Sequence, residues 1–418
     1  MKVTLIYPGI GIIGFNSPDL SGEKKWINHG LALIGANLKK HGHEVDLIDM
    51  RELKDWNHFI FEIRKREPEF VGIGISYLDW KIADKCFQII KEINSEIKTI
   101  AGGLFPSIFP DEVLKNKYID YVVQGEGEIT MLNIINGVNG MDFYKYIKSE
   151  PIYDLDSLPF ADRELFDYKK ELSQDFSPSG KTPHITMISG RGCPFGCGYC
   201  QPAERMVFKG SYRMRSVPNV IQELIELRRY NFQSVTFWDD TFTANREWVM
   251  EFCDAYKMSG FGQKIACCSR ADIICNNEPM IKRISEIGIE YFVIGFETGT
   301  DRLLKFINKG VTLEQNYRAV EICRKYGIKI FGTFMLGLPT ETKEESRATM
   351  EMIKKIHPNH GMVFYFNPIP GTKLFDYCKE NNLILRDNTF DIERTSEYSP
   401  KIKGIDYEYL TKLQKGEI

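Results

Sequence analysis

Three cysteines in a glycine-rich loop constrain this chain more than any other feature of its sequence. Cys193, Cys197 and Cys200 follow the spacing C-x₃-C-x₂-C, and four glycines and one proline lie in the stretch 188–200. The apolar run 185–188 leads into this stretch and predicts a β-strand before the loop. Glycine permits the tight backbone turns that three converging thiols require. The pattern therefore predicts a three-thiol site at the end of a strand.

Three thiolates in one loop indicate a metal centre. Cubane iron–sulfur clusters usually take four cysteines, and a structural zinc site takes four nitrogen or sulfur ligands. This loop supplies three cysteines and no histidine. The favoured interpretation is a [4Fe–4S] cluster with one iron open to a small molecule. A zinc knuckle, three structural thiols and a disulfide loop are the alternatives.

The loop resembles the signature of radical S-adenosylmethionine (SAM) enzymes, because aromatic Tyr199 directly precedes Cys200. In that family, the amino and carboxylate groups of SAM chelate the open iron, and one electron from the cluster cleaves the sulfonium to give a 5′-deoxyadenosyl radical. The resemblance therefore implies a [4Fe–4S] cluster, SAM, and an electron donor such as flavodoxin or ferredoxin.

Length and composition indicate a globular enzyme of two or three domains, since the chain has 418 residues. The net charge of −3 gives no electrostatic reason to expect a nucleic-acid partner. No apolar run of about 18 residues predicts a membrane span. The ten cysteines fit a reducing cytoplasm better than a secreted disulfide framework. Those outside the loop are expected to be small buried residues: Cys86, Cys253, Cys267, Cys268, Cys275, Cys323 and Cys378.

Residues 1–140 alternate strand and helix patterns, which predicts a parallel sheet covered on both faces. The expected strands are 3–7, 45–48, 71–76, 99–101 and 121–123, and the expected helices are 31–40, 56–65, 82–94 and 129–135. This alternation suits an α/β, flavodoxin-like (Rossmann-type) sheet, whose ligand site lies at the carboxyl ends of the strands.

Gly9, Gly11 and Gly14 match the pattern G-x-G-x-x-G after the first strand. A nicotinamide-type fingerprint is rejected, because that motif must open a helix and here a long turn-rich loop follows. The acidic residue at the end of the second strand, Asp49, also comes about 35 residues later, where the fingerprint places it about 20 residues on. The glycines are expected to line the same crevice for another ligand.

Most of the first 130 residues resemble the cobalamin-binding domain that is fused to many radical SAM enzymes. The resemblance is carried by Tyr7-Pro8, by 30–32, by 42–45 with Asp49, by 102–107 and by 123–128. It implies cobalamin, bound by Pro8, Gly9, Gly11, Gly30, Leu31, Ser76, Gly102, Gly103, Pro106, Gly125, Glu126 and Glu128. The alternative is a Rossmann-like domain without a corrin.

The motif D-x-H-x-x-G, whose histidine ligates cobalt in methionine-synthase-like proteins, is absent. The resemblance then leaves the lower face of the cobalt to water, to another side chain or to no ligand.

Residues 141–184 are punctuated by proline and aspartate and predict a packed linker between two domains.

From residue 185 to residue 385 the β/α alternation resumes. The expected strands are 185–189, 234–238, 264–268, 291–296, 328–335 and 363–366, with helices at 217–230, 246–258, 278–287, 313–326 and 343–356. Six strands resemble the partial (β/α)₆ barrel of radical SAM enzymes, a partial TIM barrel whose chemistry lies at the carboxyl ends of the strands. Residues 386–418 are expected to form a short C-terminal extension.

Polar residues follow successive strands of this expected barrel, and the resemblance assigns them to SAM. Asp239 or Asp240 would accept from its ammonium group, with helix capping as the alternative. The other residues that the resemblance assigns to SAM are Tyr199 in the loop, Ser269 at its ribose or methionine end, and Arg270, which would pair with its carboxylate. Glu297 would bind the ribose or orient the substrate, Leu336 would lie beside a turn whose backbone passes the adenine, and Asn367 would lie near the adenine or the substrate. No acid, base or nucleophile is assigned.

The resemblance implies a cobalamin-dependent (class B) radical SAM methyltransferase, which methylates an unactivated carbon of a small molecule or peptide by way of methylcobalamin. A cyclase or oxidoreductase would keep both cofactors without methyl transfer. A methylthiotransferase is less favoured, because it predicts a second cysteine-rich domain and Cys86 is the one cysteine of residues 1–140. A non-catalytic carrier would need neither an open iron nor polar residues at successive strand ends.

Overall fold

The structure is a computed structural model that describes residues 1–10, 14–15, 27–173, 180–200, 207, 212–385 and 400–417. Two compact units divide the chain: residues 1–174 with 203–209, and residues 175–202 with 210–418. Each unit contains a six-stranded parallel sheet. Within the described ranges, no helix combines the length and the apolar character that a membrane crossing requires.

The first unit is the expected doubly wound sheet. Its strands are β1 (Lys2–Tyr7), β2 (Glu44–Asp49), β3 (Phe70–Gly74), β4 (Lys98–Gly102), β5 (Tyr121–Gln124) and β6 (Tyr146–Lys148), in the spatial order β2-β1-β3-β4-β5-β6. The five predicted strands are confirmed, and β6 is an addition. Chain direction across the sheet reverses at β1, so the topological switch point lies at the carboxyl ends of β1 and β3.

The helices of this unit are α1 (His29–Lys40), α2 (Trp56–Arg66), α3 (Trp80–Ile93), α4 (Leu104–Ile108), α5 (Pro110–Leu114), α6 (Glu128–Ile135) and α7 (Tyr168–Leu172). Local capping explains where α1 begins, since the side chain of Asn28 accepts a hydrogen bond from the Leu31 amide. Leu5, Leu31 and Met131 belong to one buried core between the sheet and the helices.

The segment predicted as a linker packs onto the first unit over most of its length. Phe166 is buried in the same core, and the Leu165 side chain occupies the place that a Cβ on Gly35 would take. The Asp162 amide donates to the Ala32 carbonyl at 3.1 Å, and its carboxylate pairs with Lys39 at 2.7 Å. This compact unit therefore extends about 30 residues beyond the expected boundary at residue 140.

The second unit has the strand order expected for a partial (β/α)₆ barrel. The strands β7 (His184–Met187), β10 (Ser234–Phe237), β11 (Lys264–Ser269), β12 (Ile289–Glu297), β13 (Lys329–Leu336) and β14 (His360–Tyr365) lie in the order β14-β13-β12-β11-β10-β7. A small antiparallel pair, β8 (Gly190–Arg191) and β9 (Arg213–Met214), follows β7 in the chain. All six predicted strands are confirmed.

Helices alternate with these strands: α8 (Val217–Leu227), α9 (Arg246–Met258), α10 (Ala271–Asn276), α11 (Glu278–Glu286), α12 (Asp301–Phe306), α13 (Leu313–Lys325), α14 (Lys343–Ile356), α15 (Lys373–Glu380) and α16 (Tyr407–Lys415). The described part of the C-terminal extension belongs to the core of this unit. Tyr407 and Leu410 of α16 are buried against Leu336 and Tyr365.

Candidate functional site

The three-cysteine loop, residues 188–200, leaves the carboxyl end of β7 and is fastened by its backbone. The Gly198 amide donates to the Ile307 carbonyl at 2.8 Å, and the Leu374 amide donates to the Gly198 carbonyl at 2.9 Å. The Asn308 side chain donates to the Gly196 carbonyl at 2.6 Å. A Cβ on Gly198 would lie 3.3 Å from the Ile307 oxygen, so the close approach favours glycine there. The loop is held between the end of α12 and the start of α15.

None of the three cysteines of this loop is in a disulfide, and neither is any of the other seven, so the structure does not favour the disulfide alternative. The Cys193 sulfur lies 3.4 Å from the Thr241 hydroxyl, and the Arg270 guanidinium donates to the Cys197 sulfur at 3.5 Å. Burial raises the pKa of Cys200 to about 12, the charge of Cys197 adds to this, and Lys309 opposes it. Metal coordination would displace these protons, because thiolates are the ligands.

The donor set fits a cluster better than a single ion. Among the described residues, no group of three His, Cys, Asp or Glu side chains is placed to hold a single metal ion. In a cubane each cysteine binds a different iron, and the sulfurs stand farther apart. Three cysteines on one fastened loop, with a buried guanidinium against one sulfur, provide ligands and a compensating charge for an anionic cluster.

The two aspartates after β10 have different surroundings. Asp239 is 4% exposed, and its carboxylate accepts from the Ser189 amide and hydroxyl, both at 2.8 Å, and from the Gly190 amide. Burial raises the pKa of Asp239 to about 7, although these hydrogen bonds oppose the shift. Asp239 therefore anchors the start of the three-cysteine loop, while Asp240 beside it is exposed. Neither caps α9, which Asn245 caps through the Trp248 amide.

Ser269 and Arg270 lie at the end of β11, and both are buried. The Ser269 hydroxyl lies 2.8 Å from the Thr243 hydroxyl. Arg270 makes a bidentate pair with Asp272, with nitrogen–oxygen distances of 3.0 and 3.2 Å. It also donates to the Lys309 carbonyl at 2.7 Å and stacks on the Phe195 ring, 3.7 Å from its centroid. The structure thus places Arg270 against the three-cysteine loop.

Glu297 ends β12 in a left-handed backbone conformation, with φ of +66°. This conformation is uncommon for a residue with a side chain and marks a site that the fold must enforce. The carboxylate accepts from the Tyr199 hydroxyl at 2.7 Å and from the Lys309 ammonium at 2.8 Å. Burial and the charge of Glu297 raise the pKa of Tyr199 well above its ordinary value. The predicted residues Tyr199 and Glu297 are thereby in direct contact.

Sequence reasoning missed Lys309. It follows α12 in a turn and not a strand end, so its position in the chain gave no signal of a site. In the fold it is 8% exposed, and its ammonium also lies 3.2 Å from the Tyr199 hydroxyl. A lysine buried this deeply requires a charged partner, and Glu297 provides it.

The two residues expected near the adenine are at neighbouring strand ends. Leu336 ends β13 with its side chain fully buried against Tyr365, Tyr407 and Leu410, on the helix-covered face of the sheet. Its carbonyl accepts from the Phe366 amide at 2.8 Å. Asn367 is half-buried directly after Phe366.

The crevice of the first unit lies at the carboxyl ends of β1, β3, β4 and β5. Two adjacent glycines there, Gly102 and Gly103, differ in how much space surrounds them. Gly103 has φ of +100°, and a Cβ there would lie 2.8 Å from both the amide nitrogen and the carbonyl oxygen of Ile75. A Cβ on Gly102, by contrast, would meet nothing within 4 Å. Gly102 therefore leaves an open place at the end of β4 where a flat ligand could approach the backbone, which fits the expected corrin.

Other expected cobalamin residues also lie at this edge. Gly9 follows β1 with φ of +42°, Ser76 follows β3, and Gly125 follows β5 with φ of +105°. The Ser76 hydroxyl donates to the Asp79 carboxylate at 2.5 Å, and the Ser107 hydroxyl accepts from the Gly125 amide at 3.0 Å.

The other residues of that expected set that the structure describes have contacts within the unit, and their role toward cobalamin stays a prediction. Glu126 accepts from the Ile152 amide at 2.6 Å and so fastens the segment after β6. Glu128 is buried at the start of α6, where its carbonyl accepts from the Asn37 side chain. Pro8, Leu31 and Pro106 are buried, and Gly30 lies in the first turn of α1. Gly11 lies outside the described residues.

A buried ion pair at the same edge was not foreseen. Arg51, 2% exposed, pairs with Asp49 through two nitrogens, at 2.8 and 2.6 Å, and its guanidinium lies 4.5 Å from the centroid of the Tyr7 ring. A Cβ on Gly9 would lie 2.9 Å from that ring and 3.0 Å from Arg51. The glycine after β1 is thus required by the side chains beneath it.

Two family models match the chain. The radical SAM superfamily matches residues 187–353, a range that contains the three-cysteine loop and the ends of β10 to β13. The B12 binding domain matches residues 20–135, a range that contains Ser76, Gly102, Gly103 and Gly125.

Relatives and solved structures agree with these matches. The chain is 29% identical to an uncharacterized methyltransferase of Pyrococcus horikoshii, over 99% of this chain and 90% of that protein. It is 26% identical to the anaerobic magnesium-protoporphyrin IX monomethyl ester cyclase of Rubrivivax gelatinosus, over 96% and 74%. The cobalamin-dependent SAM radical enzyme OxsB, with aqua-cobalamin and SAM bound, has a TM-score of 0.69 at 16% identity, over 93% of this chain and 62% of that chain. The chain thus spans less than two thirds of OxsB, and this likeness shows the fold alone.

The two matched domains account for both sites. A radical SAM domain implies a [4Fe–4S] cluster and SAM, for which the three-cysteine loop has the ligands. A B12 binding domain implies cobalamin, for which the edge at Gly102 has the space. The chain thus combines a radical SAM superfamily domain with a B12 binding domain.

Proposed function

We propose that the protein is a class B radical SAM methyltransferase that methylates an unactivated carbon of a small-molecule or peptide substrate. In this class the cluster and SAM supply a 5′-deoxyadenosyl radical that abstracts hydrogen, and methylcobalamin supplies the methyl group. The observation that carries the proposal is the fastened loop with three cysteines at the carboxyl end of β7, which leaves one iron of a cubane without a cysteine. A flavodoxin or ferredoxin would be the electron donor.

Two carboxylates of the barrel then have separate tasks toward SAM. Asp240 is exposed beside the buried anchor Asp239 and presents an acceptor to an ammonium group. Both hydrogen bonds to Glu297, from Tyr199 and Lys309, end on Oε1. Its Oε2 is therefore the oxygen available to a ribose hydroxyl.

The methyl group is the part of the proposal that distinguishes it from other radical SAM reactions. One relative that spans nearly the whole chain has the name of a methyltransferase, which supports methyl transfer. Another has the name of a cyclase, so a cyclase or oxidoreductase without methyl transfer is the second candidate. The two candidates need the same cofactors, and their products separate them.

The test needs no substrate. The full-length protein is purified without oxygen, reconstituted with iron and sulfide, loaded with hydroxocobalamin and passed through gel filtration. Titanium(III) citrate and SAM with a deuterated methyl group are then added. A methyltransferase is expected to form 5′-deoxyadenosine, S-adenosylhomocysteine and deuterium-labelled methylcobalamin, all of which mass spectrometry measures. Formation of 5′-deoxyadenosine without the other two products would favour the second candidate.

Matched variants connect each product to its site. Alanine at any of Cys193, Cys197 or Cys200 should abolish 5′-deoxyadenosine, whereas Cys275→Ser, outside the loop, should retain it. Gly102→Leu should lose the bound corrin, because the side chain would enter the open place at the end of β4. Gly262→Leu is its control, since a Cβ there also meets nothing within 4 Å and the residue lies in the other unit. Undiminished 5′-deoxyadenosine in all three cysteine variants would overturn the proposal.

A further inference from the structure

The guanidinium of Arg270 has hydrogen-bond partners on all three of its nitrogens. It donates four hydrogen bonds: two to the Asp272 carboxylate, one to the Lys309 carbonyl and one to the Cys197 sulfur. Guanidinium has five N–H groups in a rigid plane, so these partners determine its position and orientation. The face of that plane rests on Phe195, which lies within the three-cysteine loop. Arg270 therefore contacts the loop through both a sulfur and a ring.

The charge at this position is shielded from water. Arg270 is 6% exposed and Cys197 is 8% exposed. Interactions between charges are stronger here than at the surface, because little solvent lies between them. Asp272 neutralises part of the positive charge, but its side chain is 17% exposed against 7% for that of Arg270. The carboxylate is thus the better screened member of the pair, and the guanidinium is the member that contacts the sulfur.

A cation and an N–H donor next to a cluster sulfur have a predictable effect. A [4Fe–4S] cluster gains one negative charge on reduction, and its potential depends on net charge, hydrogen bonds to the sulfurs and exposure. A nearby positive charge stabilises the reduced form more than the oxidised form. A hydrogen bond to sulfur acts in the same direction.

We propose that Arg270 is a positioning residue of the iron–sulfur cluster, which holds the Cys197 side of the loop and raises the reduction potential of the cluster. Asp272 orients the guanidinium and moderates this effect. The inference rests on the cluster of the proposed function, and it concerns the protein before SAM binds. It assigns Arg270 to the sulfur ligand and not to the carboxylate of SAM.

The test is a redox titration of the reconstituted full-length protein without SAM, followed by electron paramagnetic resonance of the reduced cluster. Arg270→Gln should make the midpoint potential more negative than that of the wild type. Asp272→Asn should make the midpoint potential less negative, because no carboxylate then neutralises part of the positive charge of Arg270. Arg270→Lys keeps the charge without the planar fork and should fall between wild type and Arg270→Gln. The control is Arg302→Gln, which breaks the ion pair of the half-exposed Arg302 side chain with Glu345 and should leave the potential unchanged.

Opposite shifts in Arg270→Gln and Asp272→Asn would support the inference, because a general loosening of the fold would move both in one direction. Iron and sulfide contents are measured in parallel, and if Arg270→Gln loses the cluster, Asp272→Asn and Arg270→Lys decide the question. Wild-type potentials in variants that retain the cluster would overturn the inference, as would a wild-type potential together with weakened SAM binding in Arg270→Gln. A wild-type protein that holds no cluster would instead refute the proposed function.

Discussion

The Tyr199 hydroxyl donates a hydrogen bond of 2.7 Å to the Glu297 carboxylate, although 98 residues separate the two in the chain. One residue belongs to the three-cysteine loop after the first barrel strand, and the other ends the fourth barrel strand. Lys309 closes the group by donating to both. The loop that carries the thiols is thus fastened to the far strand ends through side chains as well as through its backbone.

Tyr199→Phe should destabilise the protein by about 1–2 kcal/mol, because it removes a charge-assisted hydrogen bond from a buried carboxylate. The ring and its packing remain. Urea unfolding of the unreconstituted protein measures the change. Tyr230→Phe is the control, because the hydroxyl of Tyr230 accepts from the exposed side chain of its neighbour Arg229, and this change should cost less than about 0.5 kcal/mol. Equal stability of Tyr199→Phe and wild type would contradict the expectation.

Lys309→Met should be more damaging, by about 3–5 kcal/mol, because it leaves Glu297 charged and buried without its ion-pair partner. The double variant Lys309→Met with Glu297→Gln should recover part of that loss, since no uncompensated charge remains. A double-mutant cycle from chemical unfolding gives the coupling between the two sites. Additive effects of the two single changes would show that the pair is not coupled.

Glu341 predicts a pH dependence of stability. Burial raises the pKa of Glu341 from its ordinary value to about 7, opposed by hydrogen bonds that include one from the Leu338 amide. The folded state therefore holds the proton more tightly than the unfolded state. The stabilisation is complete below the unfolded pKa of about 4.5 and is lost as the pH rises through about 7, with an upper size of about 3 kcal/mol.

Glu341→Gln should remove this component, because glutamine stays neutral and can still accept from Leu338. The free energy of unfolding is measured for both proteins between pH 5 and pH 8, and the difference between them should change with pH. Glu344→Gln, at an exposed position of α14, is the control and should run parallel to wild type. Parallel curves for Glu341→Gln and wild type would contradict the assignment.

Gly102 and Gly103 are adjacent and should respond differently to alanine. At Gly103 the Cβ would crowd the backbone of Ile75 in a left-handed conformation, so Gly103→Ala should cost about 1–3 kcal/mol. At Gly102 the Cβ enters open space, and Gly102→Ala should change stability by less than about 0.5 kcal/mol. Thermal unfolding of the corrin-free protein compares them. Similar melting temperatures for the two variants would count against the backbone described at the end of β4.

Much of the fold was predictable because the signals are local. The alternation of apolar strands with amphipathic helices predicted eleven of the twelve strands in the two large sheets, which are the five of residues 1–140 and the six of the barrel. Strand β6 was missed because Tyr146–Lys148 is only three residues long, which is too short for a recognisable strand pattern. Its pairing with β5 is visible only in the folded sheet. The segment 141–173 looked like a linker for a similar reason, since its few apolar residues are informative only against the core that receives them.

The sequence predicted which residues belong to the candidate site better than it predicted which side chains contact one another there. Tyr199 and Glu297 were both expected at SAM, but their contact with each other and with Lys309 was not. The expectation for Leu336 near the adenine stays a prediction, and the structure shows its side chain packed against Tyr407 and Leu410 of α16.

The sequence by itself determined the order of strands and helices, the loop with three thiols and the glycines that allow close approaches, because each of these depends on residues near one another in the chain. Only the tertiary structure decided that Asp239 anchors the loop while Asp240 is exposed, that Arg270 lies on the Cys197 sulfur, and that Lys309 is buried against Glu297. The physical reason is that a side chain acquires its partners from strand register and packing between distant segments. The same residue type can therefore become an anchor, a charge or a ligand according to what the fold brings beside it.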